Sequence, residues 1–173
     1  GVLAYFEPLN FFLTIVREDV VIPIKLEEQV EFEMEKAFFI SFNDAGVYLL
    51  TTIGQADIEG RNNANTYFYH ITYPSTVVSK QVISYSIPTA LSLFDDEVII
   101  SGIRFENLQP VMETQIFSLA AELKKTISGF SYQQLIKNDF GYTASYAGNI
   151  YFFDKNFNEV KRFTVGESGL IRN

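Results

Sequence analysis

The stretch Asn138-Asp139-Phe140-Gly141, followed by Asn149-Ile150-Tyr151-Phe152-Phe153-Asp154-Lys155-Asn156, alternates turn and strand signals and sets the pattern for the rest of the chain. Asn, Asp and Gly tolerate the backbone angles of tight turns, and β-branched or aromatic residues suit a pleated surface. The same turn occurs at Asn43-Asp44-Ala45-Gly46, and Asp95-Asp96-Glu97 occupies the equivalent place without the glycine. The corners are separated by 52 and 43 residues, Asn43 to Asp95 and Asp95 to Asn138. After each comes a β-type run: Val47-Tyr48-Leu49-Leu50, Val98-Ile99-Ile100 and Tyr142 to Tyr146. An alternating aromatic strand follows, over 66–71, 115–119 and 149–153, and a basic strand closes each unit over 78–83, 122–127 and 159–164. With the strand before each corner this makes about four strands per unit, a spacing expected of propeller blades.

In these residues the chain resembles the blades of β-propeller repeat proteins over 37–166, although it carries neither a Trp-Asp signature nor a paired glycine. The resemblance implies an all-β, propeller-like stack of antiparallel four-stranded units. It places the units at approximately 1–36, 37–86, 87–129 and 130–173 of a single domain. Because open sheets leave costly edges, such a chain is expected to be part of a larger ring, a compact four-bladed unit or one that closes with another chain.

Composition agrees with strands. Apolar residues make up 47% of the 173 and aromatic ones 16%, enough for one buried core. A net charge of −8 argues against a nucleic-acid partner, which needs a basic face. Without cysteine there is no disulfide framework, thiolate nucleophile or thiolate metal site. No apolar run is long enough for a membrane-spanning helix. The opening Gly1-Val2-Leu3-Ala4 lacks the charged start of a signal peptide, and a first residue other than Met is expected of a trimmed or processed chain.

Along the chain, strands are expected over 2–6 and 11–16, and over 20–26, where Pro23 points to an edge or a bulge. Residues 29–35 alternate strictly, with Val30, Phe32 and Met34 on one face and Glu31, Glu33 and Glu35 on the other. The polar run 55–65 reads as a surface loop. From Pro110 to Gly129 two signals conflict. The repeat calls for strands, while Met112, Ile116, Leu119, Leu123 and Ile127 keep helical spacing and Ala120 to Lys125 favour helix. A helix there would instead make the C-terminal hairpin, with Gly141-Tyr142 and Tyr151 to Asn156, resemble an α+β sensor domain of the PAS or Cache kind, implying an extracytoplasmic ligand-sensing role.

Chemistry is sparse. His70 is the only histidine, which excludes catalytic triads and two-histidine metal motifs and leaves it a structural or surface imidazole. Asp154, Asn156 and Asn158 have the spacing of a calcium loop, but Glu159 and Val165 stand where that loop needs Gly and Glu, so a turn is expected. Asp95, Asp96 and Glu97 are candidate paired carboxylates but read first as exposed turn acids. Gly141 and Gly148 precede no helix, so no phosphate loop is expected, and no cofactor motif is present. Most tyrosines will pack in the core, with Tyr67, Tyr69, Tyr142 and Tyr151 the candidates for an aromatic ligand-binding face. The function expected is a non-enzymatic binding or scaffold domain whose partner is another protein, its own copies or a glycan. Weaker alternatives are a closed lipid-binding barrel and a carboxylate-only hydrolase.

Overall fold

The computed structural model describes residues 2–7, 12–17, 20–25, 35–53, 65–72, 78–165 and 171–172, in which there are sixteen strands and no helix. The chain is all-β. Four antiparallel sheets follow one another, each a meander with its strands in chain order. The first holds β1 (Val2–Glu7), β2 (Phe12–Arg17) and β3 (Val20–Lys25), and the second β4 (Glu35–Asn43), β5 (Gly46–Ile53), β6 (Asn65–Thr72) and β7 (Val78–Ile83). The third holds β8 (Ile87–Leu93), β9 (Glu97–Glu106), β10 (Gln109–Ser118) and β11 (Leu123–Ser128). The last holds β12 (Gln134–Asn138), β13 (Gly141–Tyr146), β14 (Asn149–Asp154), β15 (Glu159–Val165) and the short β16 (Ile171–Arg172). Among the described residues no sheet closes on itself, so the closed-barrel alternative is overturned.

The second strands of the second and third sheets, β5 and β9, are buried on both faces, which explains their unbroken apolar runs. Val47, Tyr48, Leu49 and Leu50 are fully buried, as are Val98, Ile99 and Ile100. Successive side chains point to opposite faces. Val98 and Ile100 therefore pack with Tyr48, Leu50, Phe68 and Phe117 between the second and third sheets. Ile99 packs with Tyr142, Ala144, Tyr151 and Phe153 between the third and last. The first strands also neighbour one another, β4 lying beside both β1 and β8, and β8 beside β12.

Residues 112–118 and 123–127 are strand and none of 112–127 is helix, which removes the α+β sensor alternative. In β10, Thr114 and Ile116 bury one way and Glu113 and Phe117 the other, so tertiary packing overrides local helix propensity. Only the corner 119–122 remains outside the strands, closed by Ala121 N–H donating to Ser118 O at 2.9 Å. Of the alternating run 29–35 and the polar run 55–65, only Glu35 and Asn65 lie within the described residues.

A ring of hydroxyls ties the connection leading into the last sheet to the third sheet. Thr89, Ser101 and Ser131 lie within 2.7–2.9 Å of one another, and Ser101 Oγ also accepts Tyr132 N–H at 3.0 Å. Each hydroxyl can donate to one neighbour and accept from the other, leaving the second lone pair of Ser101 for the backbone.

Candidate functional site

All three corners join the first strand of a sheet to its second. Two are built alike. Asn43 Oδ1 accepts Ala45 N–H at 2.9 Å and Gly46 N–H at 3.3 Å, and Asn138 Oδ1 accepts Phe140 N–H at 2.9 Å and Gly141 N–H at 3.2 Å. A Cβ on either glycine would collide with a neighbouring backbone carbonyl oxygen, of Ile71 for Gly46 and of Phe153 for Gly141.

The corners of the third and last sheets line a cleft of about 530 Å³ with Leu93, Phe94, Asp95, Asp96, Lys137, Asn138 and Asp139. An adjoining space of about 400 Å³ shares Asp96, Lys137, Asn138 and Asp139 and adds Glu97, Gly141, Tyr142 and Lys155. Lys137 stands opposite Tyr142 in the β12–β13 register, so both reach toward the β8–β9 corner. Lys137 Nζ donates to Asp96 Oδ1 at 2.5 Å and Glu97 Oε1 at 2.9 Å, and the Tyr142 hydroxyl donates to the same Glu97 oxygen. The ammonium also lies 5.6 Å from the Phe94 ring centre and 5.5 Å from that of Tyr142.

Burial works against the Lys137 ammonium, but the hydrogen bonds and charges of Asp96 and Glu97 outweigh it and raise its pKa. Burial, then Glu97, pushes the Tyr142 phenol up to about 12. The hydrogen bond from Lys137 holds Asp96 below the ordinary carboxylate value. At neutral pH the lysine is therefore charged and the phenol protonated. Neither is a base, and Asp96 and Glu97 serve a lysine rather than each other.

The four tyrosines expected to form a ligand-binding face are divided between two places. Tyr67 and Tyr69 lie on β6, their ring centres 6.4 Å apart; Tyr67 is half-buried beneath Lys80 Nζ, 3.8 Å from its ring centre. Tyr69 is buried, as are Tyr142 and Tyr151 in the core between the third and last sheets. Tyr142 stacks on Phe157 at 4.0 Å, and Tyr151 meets the edge of Phe130 on one side and Arg162 on the other. These three rings are thus packed rather than presented. Asp154 is committed to its own turn, accepting Asn156 N–H at 2.8 Å, Asn158 N–H at 2.9 Å and Asn158 Nδ2 at 2.9 Å. Those bonds hold its carboxyl below the ordinary range, with the backbone of Asn158 the largest cause. Among the described residues no three His, Asp or Glu side chains come together as a metal site. His70 is buried against Tyr48, their rings 4.7 Å apart and nearly parallel, and its Nε2 has no hydrogen-bond partner among the described residues.

No family model, curated protein or solved structure matches this chain. What the corner does must come from its own geometry. Sequence reasoning passed over Lys137, Phe94 and Phe140. The first two could be placed only by knowing that residues about forty apart share a corner, Lys137 and Glu97 being 40 positions apart. Phe140 carried a signal that was there to find: an aromatic in a turn whose twin holds Ala45.

Proposed function

We propose that this chain is a non-enzymatic binding or scaffold domain, built of propeller-like blades, that offers its strand corners to a partner. The blade reading draws support from the consecutive meanders, from first strands lying side by side and from corners in the same place in three sheets. The single observation behind a binding role is the cleft between the corners of the third and last sheets. It carries charge and aromatic surface on stiff turns, yet its buried acid is occupied by Lys137 and Tyr142.

The test is solution NMR of the isotope-labelled protein, titrated with panels of peptides and oligosaccharides, with sedimentation to detect self-association. Saturable shifts centred on Asp95, Asp139 and Phe140 are expected. Shifts confined to surfaces away from the corners would overturn the reading, and so would turnover of a substrate that the Glu97→Gln variant abolishes.

A further inference from the structure

The corner cleft already holds one cation, and it is the chain's own. Lys137 Nζ sits between two carboxylates and near the rings of Phe94 and Tyr142, a combination that attracts ammonium and guanidinium groups. The same chemistry extends outward unused. Asp95 and Asp139 line the cleft, are exposed and make no ion pair among the described residues. Four carboxylates, Asp95, Asp96, Glu97 and Asp139, outnumber the lining cations Lys137 and Lys155 together with Lys124, whose Nζ donates to Asp96 O at 3.3 Å, so the cleft is net negative.

Beside Asp139 stands Phe140, 88% exposed. The fold asks for no aromatic there, because the Asn43 turn makes the same two hydrogen bonds with Ala45 in that place. An uncovered ring at the rim of an acidic cleft marks a surface that gains from being covered.

We propose that this corner is a docking site for a protein segment in which a lysine or arginine adjoins an apolar side chain. The cation enters between Asp95 and Asp139, and the apolar side chain lies on Phe140. The proposal rests on the reading of the chain as a binding domain and names the chemistry of its partner. Nucleic acids and anionic lipid surfaces are repelled by the same carboxylates. A second copy of a chain carrying −8 would bring like charge to this face. A neutral glycan would use the ring but leave the acids idle.

The test is an array of short peptides in which basic and apolar positions are varied independently. Selected peptides are then measured by fluorescence polarisation against the wild type, Phe140→Ala and the Asp95→Asn/Asp139→Asn pair. Peptides pairing a basic with an apolar residue should be enriched, and each variant should weaken them by about tenfold or more. Raising the salt to about 0.5 M should weaken binding to the wild type far more than to the Asp95→Asn/Asp139→Asn variant. All three positions are exposed, so the melting temperature should not move, and any variant in which it does is replaced by Asp139→Asn alone. Selection without basic residues, or affinity indifferent to the substitutions, would overturn the proposal. Corner binding of oligosaccharides or acidic peptides instead would overturn it and leave the binding-domain reading intact. No binding from any panel would end both.

Discussion

Lys137→Met removes the only cation paired with Glu97 among the described residues while keeping most of the lysine stem. Glu97 is 8% exposed, and without the ammonium its carboxylate keeps only the Tyr142 hydroxyl as a side-chain donor among the described residues. Removing one partner of a fully buried pair costs about 3–5 kcal/mol. Here the Lys137 side chain is 31% exposed, which lowers the Glu97 share to about 2 kcal/mol. The Asp96 side chain is 67% exposed, so its share is at most about 0.5 kcal/mol. A total near 2–3 kcal/mol follows, read as a drop in urea-unfolding free energy by far-UV circular dichroism or tyrosine fluorescence, the chain having no tryptophan. Adding Glu97→Gln to Lys137→Met should return about 1 kcal/mol, since a neutral amide costs less to bury and still accepts the Tyr142 hydroxyl. Lysine's pKa is higher in the folded chain, so its contribution is whole below 10.5 and fades as pH rises through the folded value. That of Asp96 is lower, so its contribution is whole above 3.8 and fades as pH falls. A loss under about 0.5 kcal/mol, or no recovery in the double variant, would refute the claim that Lys137 neutralises a buried charge.

Four further outcomes are expected. Burial lowers the His70 pKa from 6.5, so folding stability should hold above that pH and decline below it; His70→Phe should flatten the acid side of a melting-temperature profile. Leu108 has φ 66° and is 63% exposed, so Leu108→Gly, which makes an Asn-Gly turn, should raise unfolding free energy by about 0.5–1 kcal/mol; Gly148→Ala, at φ 74° in open space, should lower it by about 1 kcal/mol. Gly141→Ala, whose Cβ would meet Phe153 O, should cost about 3 kcal/mol or more, visible as an early melt.

The all-β class was legible because the evidence for it is local. Val47 to Leu50 and Val98 to Ile100 are strongly β-forming, and turn residues bracket them. Ala120 to Lys125 misled for the converse reason: their helix propensity is also local, but the burial of Ile116 and Phe117 against neighbouring sheets is not. Tyrosine gave no guide to exposure, since its ring suits a core as well as a surface, and Tyr69, Tyr142 and Tyr151 went inward while Tyr67 stayed half-covered. The cleft stayed hidden because its parts come from two sheets. Asp95, Asp96 and Glu97 read as an ordinary acidic turn until Lys137 and Tyr142 stand beside them.

The hydroxyl ring of Thr89, Ser101 and Ser131 constrains how this chain can drift. Replacing Thr89 or Ser131 with an aliphatic residue takes one partner from each of the two remaining hydroxyls, whereas exchanging both together leaves Ser101 only the Tyr132 N–H to accept, so Ser101 is the member that must stay. Each single exchange is less fit to fold than either end state, so Thr89 and Ser131 should change together while Ser101 is kept for the Tyr132 backbone.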